Sequence, residues 1–356
     1  MNDLKDKYRI LLVDDSATIR MILKDLLAVH RDMEVCGEAC DGREAVEKVS
    51  ALNPDIVVMD VQMPIMNGFE ATERIMASTP KPVLILSSII NRSEVFTSLR
   101  AIELGALDVM EKPEFSDERQ MDEFSAKLVD KIRVLARVKV ITHLRGSHYR
   151  REDVLSGRTP TRTGTYDILG IGSSTGGPLA LKFLLANLPL SFNLPIVVVQ
   201  HITTGFLDGL ASWLNAECRR KVVVAEPQQE LQAGWVYFVP NGFQPRFKDR
   251  GVLVLDDNIP AEGGFKPSAN TLLRAIGDVY GPRSIGLILT GMGSDGADGL
   301  FRMKDAGAVT IAQDRLSCIV YGMPRAAVEK GAATHVLPLN QMPDFLSQFS
   351  TSDEEL

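Results

Sequence analysis

Apolar runs that stop abruptly at a polar side chain recur along the whole sequence. In the N-terminal part, Tyr8-Arg-Ile-Leu-Leu-Val runs into Asp14 and Asp15, and Asp55-Ile-Val-Val-Met runs into Asp60. Pro82-Val-Leu-Ile-Leu ends on Ser87 and Ser88, and Ala106-Leu-Asp-Val-Met-Glu ends on Lys112 and Pro113. Glu34–Cys40 reads as one further strand, while Ala17–Val29 and Gly42–Ala51 carry apolar residues at helical spacing. Short, nearly continuous apolar runs alternating with helices predict a parallel sheet covered on both faces.

The pattern changes after Glu118. Met121, Phe124, Leu128, Ile132 and Leu135 keep a helical period towards Ile141, but His143–Asp153 and Ser156–Gly164 are small, polar and basic without any period. Such a stretch reads as a flexible connection. From Tyr166 the alternation resumes, with strands predicted at 168–172, 195–200, 222–226, 235–239, 285–290, 309–313 and 334–338. Helices are predicted at 178–187, 205–216, 270–280, 297–306, 323–330 and 341–349. Phe243–Leu255, with Asp249-Arg-Gly251 at its centre, predicts a β-hairpin excursion. The expected architecture is therefore α/β in two domains, residues 1–137 and 165–350, joined by a linker over 138–164. The second domain is expected to be doubly wound and mostly parallel.

Composition narrows the classes. The 356 residues are 45% hydrophobic, ordinary for a globular chain of two domains. The N-terminus is charged and no apolar run approaches the ~20 residues that span a bilayer, so a cytoplasmic protein without membrane insertion is expected. Net charge is −7 overall: −6 over 1–140, +3 over 141–164 and −4 over 165–356. Neither large part is basic and the second has no short helix–turn–helix pattern, which argues against nucleic acid as a partner. His143 and His148 fall in the basic linker, where a solvated run is the plain reading. Cys36, Cys40, Cys218 and Cys318 are too scattered for a disulfide framework, and Cys36 and Cys40, without further ligands nearby, read as buried thiols.

In open parallel sheets the carboxyl ends of the strands share one edge, where ligands bind. That rule gathers Asp14, Asp15, Asp60, Ser87 and Lys112 into one cleft. Acids that merely end strands or cap helices account for Asp15, but hardly for all five positions. Three neighbouring carboxylates call for a cation, and an all-oxygen set suits Mg²⁺. A lysine and a hydroxyl opposite the metal suit a phosphoryl group carried on one of the acids. On Asp14/Asp15, Asp60 within Val-Met-Asp-Val-Gln-Met-Pro, Asn67-Gly68, Ser87 and Lys112-Pro113, this part resembles the response-regulator receiver family. The resemblance implies a flavodoxin-like domain with a parallel five-stranded sheet. It also implies phosphoryl transfer from a histidine kinase to Asp60, Mg²⁺ held by Asp14, Asp15 and Asp60, and Ser87 and Lys112 reading the phosphoryl group. Val109 departs from the family, which often has an aromatic switch residue there.

The second domain opens with Ile168-Leu-Gly-Ile-Gly-Ser-Ser-Thr-Gly-Gly-Pro178, an apolar strand, a small-residue turn and a proline suited to a first helical turn. Gly172-Ser-Ser-Thr-Gly176 fits the nucleophile-elbow form with Ser174 at the exposed position; the same stretch also fits a phosphate-cradling loop. Pro195-Ile-Val-Val-Val-Gln ends on His201, and Ser284-Ile-Gly-Leu-Ile-Leu-Thr ends on the loop Gly291-Met-Gly-Ser-Asp-Gly296. A serine nucleophile needs a base, and the base an acid to fix its tautomer. Ser174, His201 and Asp295 supply the three at strand ends of one sheet, with Asp298 a second candidate acid. A lone strand-end histidine is more often structural, the reading kept for His335. The Gly291 loop also matches a dinucleotide fingerprint with Asp314 as its ribose acid, but that leaves Ser174 and His201 without a role.

Gly172–Gly177, Gln200-His201 with Gly205-Phe206, Thr290–Gly296 and Ser317–Pro324 resemble the CheB family of chemotaxis protein-glutamate methylesterases. The resemblance implies Ser174 as nucleophile, His201 as base and Asp295 as orienting acid. The backbone N–H groups of Thr175 and Met292 would form the oxyanion hole, with no cofactor for the esterase. It further implies demethylation of glutamate γ-methyl esters on the cytoplasmic domains of chemoreceptors, glutamine deamidation at the same centre, and a receiver that covers the cleft until phosphorylated. Lys266–Leu273 departs from the family's pattern and bears on substrate preference. The rival readings are a receiver-regulated scaffold with an inactive esterase fold, and a nucleotide-binding oxidoreductase using the Gly291 loop.

Overall fold

The computed structural model describes residues 7–87, 100–112, 118–140, 165–203 and 205–349. These fall into two compact units, one ending within the stretch before residue 165 and one beginning at Thr165. His143, His148 and most of the expected linker lie outside the described residues, as does Pro113.

In the first unit, β1 (Tyr8–Val13), β2 (Met33–Ala39), β3 (Ile56–Asp60), β4 (Val83–Ser87) and β5 (Asp108–Glu111) form one sheet in the order β2-β1-β3-β4-β5. Every pairing is parallel. This is the flavodoxin-like order, with its switch point at the carboxyl ends of β1 and β3. Asp41 caps the helix Gly42–Leu52 by accepting from the Arg43 and Glu44 amides, and Asn67 caps Gly68–Ser78 by accepting from Phe69 and Glu70. A Cβ at Gly68 would stand 2.1 Å from the Asp60 carbonyl oxygen, so only glycine lets that helix start against the end of β3. The expected burial of the two N-terminal thiols is corrected here: Cys40 is exposed and Cys36 only half-buried. Both belong to β2 or its end, and β2 is the edge strand, covered by a neighbour on one side only.

The second unit holds a seven-stranded, wholly parallel sheet. Its strands are β6 (Ile168–Ser173), β7 (Ile196–Gln200), β8 (Val222–Val224), β10 (Val236–Phe238), β13 (Ser284–Ile288), β14 (Val309–Gln313) and β15 (His335–Leu337). The order is β15-β14-β13-β6-β7-β10-β8. The chain leaves β6 to one side for β7 and later returns to its other side with β13, so the switch point lies between β6 and β13. The hairpin is present as β11 (Gln244–Asp249) and β12 (Val252–Asp256); a short β9 (Gln229–Glu230), which the sequence pattern does not signal, joins it as a third antiparallel strand. The single helix expected over 341–349 is instead a short helix, Met342–Leu346, between 3₁₀ turns Leu339–Gln341 and Ser347–Phe349.

The Gly170-Ile-Gly172 alternation serves packing. A Cβ at Gly170 would lie 2.4 Å from Ile276 Cδ1, and one at Gly172 would lie 2.7 Å from Ala269 Cβ. Bare backbone on that face of β6 therefore lets the helix Ala269–Tyr280 lie directly on the sheet. Leu272, Leu273 and Ile276 of this helix share a buried cluster with Ile168, Val197 and Ile288 of the sheet, and with Leu300 and Met303 of the helix Ala297–Asp305. The amino end of Ala269–Tyr280 is thereby brought to the carboxyl ends of the central strands.

Candidate active site and acidic cluster

Ser174, His201 and the Gly291 loop follow β6, β7 and β13, three adjacent strands. Backbone bonds stitch their ends together: His201 N donates to Ser173 O at 2.9 Å, and Ser174 N to Thr290 O at 3.1 Å. A Cβ at Gly291 would fall 2.8 Å from Ser174 Cβ, so the loop after β13 passes directly against the serine. The two serines of the turn part company here. Ser173 is fully buried and donates to Gln200 Oε1 at 2.7 Å, whereas Ser174 is only half-buried.

His201 Nε2 lies 2.8 Å from Asp295 Oδ2, with both side chains almost wholly buried. The oxygen stands off the line of the ring N–H, so neither ring nitrogen has an aligned hydrogen-bond partner among the described residues. Asp295 itself is held firmly. Its Oδ1 accepts from Ser268 Oγ at 2.7 Å and from the Asn270 and Gly296 amides at 3.0 Å; its Oδ2 accepts from the Ala269 amide at 2.7 Å. The carboxylate thus sits on the amino end of the helix Ala269–Tyr280, beside that helix's own cap Ser268, where peptide dipoles favour negative charge. Burial pushes the Asp295 carboxyl up, but His201, Ser268 and the Asn270 amide together hold it below the ordinary carboxylate value. Asp298 is elsewhere, 2.6 Å from Lys330 on the exposed surface.

Thr175 is buried and Met292 half-buried. Among the described residues the Met292 amide donates no hydrogen bond. Thr290 ties the two loops, its hydroxyl donating to Thr175 O at 3.0 Å and accepting from Val320 N at 2.9 Å. Gly291 is also bridged to Tyr321, part of the Ser317–Pro324 segment. Asp314 accepts from the Ser317 amide and hydroxyl, which engages it within its own turn. His335 stacks obliquely on Phe345 at 4.7 Å, away from this centre, and burial lowers its pKa.

Four further residues support the site: Gln200 and Ser268 lie in segments the sequence singles out without a role for them, while Phe265 and Gln244 carry no sequence signal. Gln200 donates from Nε2 to the carbonyls of Ser174 at 2.8 Å and His201 at 2.9 Å, joining two strand ends. Phe265 lies flat on the imidazole of His201, with ring centroids 4.0 Å apart and planes 6° from parallel. Ser268 reaches Asp295 from the Lys266–Leu273 segment that departs from the family pattern. Buried Gln244 of β11 accepts from Ser268 N at 2.9 Å and donates to Phe265 O at 3.0 Å.

In the first unit, carboxylate oxygens of Asp14, Asp15 and Asp60 lie within 4.8 Å of one another. Lys112 Nζ reaches Asp14 at 2.7 Å and Asp60 at 2.9 Å. Asp14, Asp60 and Ser87 are buried and Asp15 is exposed. Burial raises the Asp60 pKa, and Asp14 adds to the rise against the pull of Lys112. One ammonium among three acids leaves an excess of negative charge, and the donors are all oxygen, so the cluster fits a hard divalent cation.

Fold and site together define a flavodoxin-like domain with an acidic cluster at its switch point, followed by a parallel α/β domain that gathers Ser174, His201 and Asp295 at adjacent strand ends. Residues 10–123 match the profile of the response regulator receiver domain, and residues 169–346 that of the CheB methylesterase. A protein-glutamate methylesterase/protein-glutamine glutaminase of Geobacter metallireducens is 39% identical, over 96% of this chain and 99% of that protein. One of Anaeromyxobacter dehalogenans is 42% identical over 96% and 97%. The crystal structure of the Thermotoga maritima CheB methylesterase catalytic domain aligns with a TM-score of 0.50 at 37% identity, covering 52% of this chain and 99% of that one. The chain belongs to the CheB methylesterase family. No helix among the described residues is long and apolar enough to cross a membrane.

Proposed function

We propose that this protein is a phosphorylation-controlled protein-glutamate methylesterase that also deamidates glutamine, acting on the cytoplasmic domains of chemoreceptors. The observation that carries the reading is the meeting of half-exposed Ser174, His201 and helix-seated Asp295 at three adjacent strand ends. With Nε2 of His201 turned to Asp295, Nδ1 is the nitrogen left to take the Ser174 proton. Ser174 Oγ then bonds to the ester carbonyl carbon, and the amides of Thr175 and Met292 receive the oxyanion. The methoxy C–O bond breaks as His201 returns the proton, releasing methanol and leaving an acyl-enzyme. Water, deprotonated by His201, frees glutamate; a glutamine substrate loses ammonia by the same steps. Domain limits of 1–137 and 165–350, with a linker between, accompany this reading.

Control rests with Asp60, which accepts a phosphoryl group from a histidine kinase while Ser87 and Lys112 read the added charge. Asp14, Asp15 and Asp60 would hold Mg²⁺, which supplies charge neutralisation for the incoming phosphoryl group. The test is methanol release from methylated receptor fragments, with and without a small phosphodonor. Release that is absent under both conditions would leave the scaffold reading in its place.

A further inference from the structure

Phe265 stands outside every motif of the chain, yet it makes the closest ring contact among the described residues. Its ring covers one face of His201 at 4.0 Å and 6°. It reaches that position from a tight turn: Glu262 and Phe265 exchange backbone hydrogen bonds of 3.0 Å around Gly263 and Gly264, both at positive φ and with nothing within 4 Å of an added Cβ. The turn is anchored at both sides. Glu262 accepts from Arg274 at 2.7 Å and Thr271 at 2.9 Å, on the helix that seats Asp295. Gln244, fully buried, holds Phe265 by its carbonyl and Ser268 by its amide. One side chain therefore sets the ring that faces the imidazole and the hydroxyl that binds the acid.

We infer that Phe265 is a positioning residue for His201, a role that rests on the proposed function. The axis of rotation about the histidine Cβ–Cγ bond lies in the imidazole plane, so any turn about it drives a ring edge into Phe265. The stack thus fixes the plane in which Nε2 faces Asp295 and Nδ1 is presented. An aromatic face also attracts a cation, so it stabilises the imidazolium formed when Ser174 gives up its proton, in partnership with Asp295 on the ring edge. Both effects act on the step in which the proton moves, not on the docking of substrate.

The experiment compares full-length Phe265→Leu and Phe265→Tyr with the parent chain, on methylated receptor fragments, with thermal melting as a control for folding. Leucine keeps apolar bulk without a ring, and tyrosine keeps the ring. The expected result is a kcat about tenfold lower for Phe265→Leu at unchanged KM, and within about twofold of the parent for Phe265→Tyr. Labelling of Ser174 by a fluorophosphonate should slow in Phe265→Leu by a similar factor. A Phe265→Leu enzyme with parental kcat, a loss confined to KM, or a loss that tyrosine does not restore would overturn the inference. A parent chain that neither turns over nor labels would instead overturn the proposed function, and this inference with it.

Discussion

Replacing Asp295 by asparagine changes one oxygen to an amide nitrogen and leaves the shape of the side chain intact. Oδ1 accepts three hydrogen bonds, from Ser268, Asn270 and Gly296, so the asparagine oxygen keeps that place. Its NH₂ then occupies the position of Oδ2, facing the Ala269 amide at 2.7 Å and His201 Nε2 at 2.8 Å. Two donors now confront donors. The Ala269 N–H is left buried without an acceptor, at a cost of about 1–3 kcal/mol of stability. Nε2 can meet the new NH₂ only as an acceptor, which moves the ring proton to Nδ1, the nitrogen assigned to receive the serine proton. The same exchange in a serine protease triad lowers kcat by about 10⁴, which corresponds to about 5 kcal/mol of transition-state stabilisation. The assay is initial methanol release at saturating substrate, with urea unfolding in parallel. Acid stability carries a second signature. The folded-state pKa of Asp295 is depressed, so its stabilisation is complete above about pH 4 and is lost as pH falls through the folded value. The asparagine variant should lack that part of the acid-side decline. Near-parental turnover would refute the reasoning. Asp298→Asn, which removes only an exposed ion pair with Lys330, should stay within about 0.5 kcal/mol and keep full activity.

Three further outcomes are expected. Ser174→Ala abolishes hydrolysis and fluorophosphonate labelling at unchanged melting temperature, whereas Ser173→Ala, which strands buried Gln200 Oε1, costs about 1–3 kcal/mol of stability and leaves a labelled serine; the reverse pattern would move the elbow by one residue. Asp60→Asn removes the response of methanol release to a small phosphodonor while basal release persists; a retained response would place phosphorylation elsewhere. The same variant should melt at a higher temperature at pH 7 in a chelator. The folded-state pKa of Asp60 is raised, so its ionised form costs stability at neutral pH, a cost relieved as pH falls towards that value, and Lys112 still has Asp14 at 2.7 Å. A lower calorimetric transition for the receiver would contradict this account.

Strand-end chemistry was legible because it is local. A buried parallel strand announces itself by a run of apolar residues, and the residue after the run is where a ligand can be met; Asp60, Ser174 and His201 all follow from that rule. Asp295 was legible through the glycines around it. The order of strands was not, since nothing in β13 itself says that it returns beside β6. Phe265 and Gln244 were hidden for a related reason: one sits in an aperiodic turn and the other begins a hairpin strand, and their partners are distant in sequence. Ser268 belongs to the segment flagged only as a departure from a pattern, and its work on Asp295 comes from the packing of one helix against Gly170 and Gly172. The burial assigned to Cys40 failed because a strand's apolar neighbours do not reveal that it lies at a sheet edge.

The return of the chain to the free side of β6 has a consequence for biosynthesis. While the polypeptide is being made, β6 and β7 can pair early, but the flank of β6 that β13 will occupy stays open until the residues from Ser284 onwards have emerged. Parallel pairings between distant segments form slowly, and an open strand flank invites pairing with other chains. Incomplete polypeptides ending before Asp295 would therefore carry Ser174 and His201 without Asp295 and, under the proposed function, would lack the group that orients the base however well their first strands had formed. The proposed centre is thus completed late in synthesis, by the loop that follows the strand closing the open flank of β6.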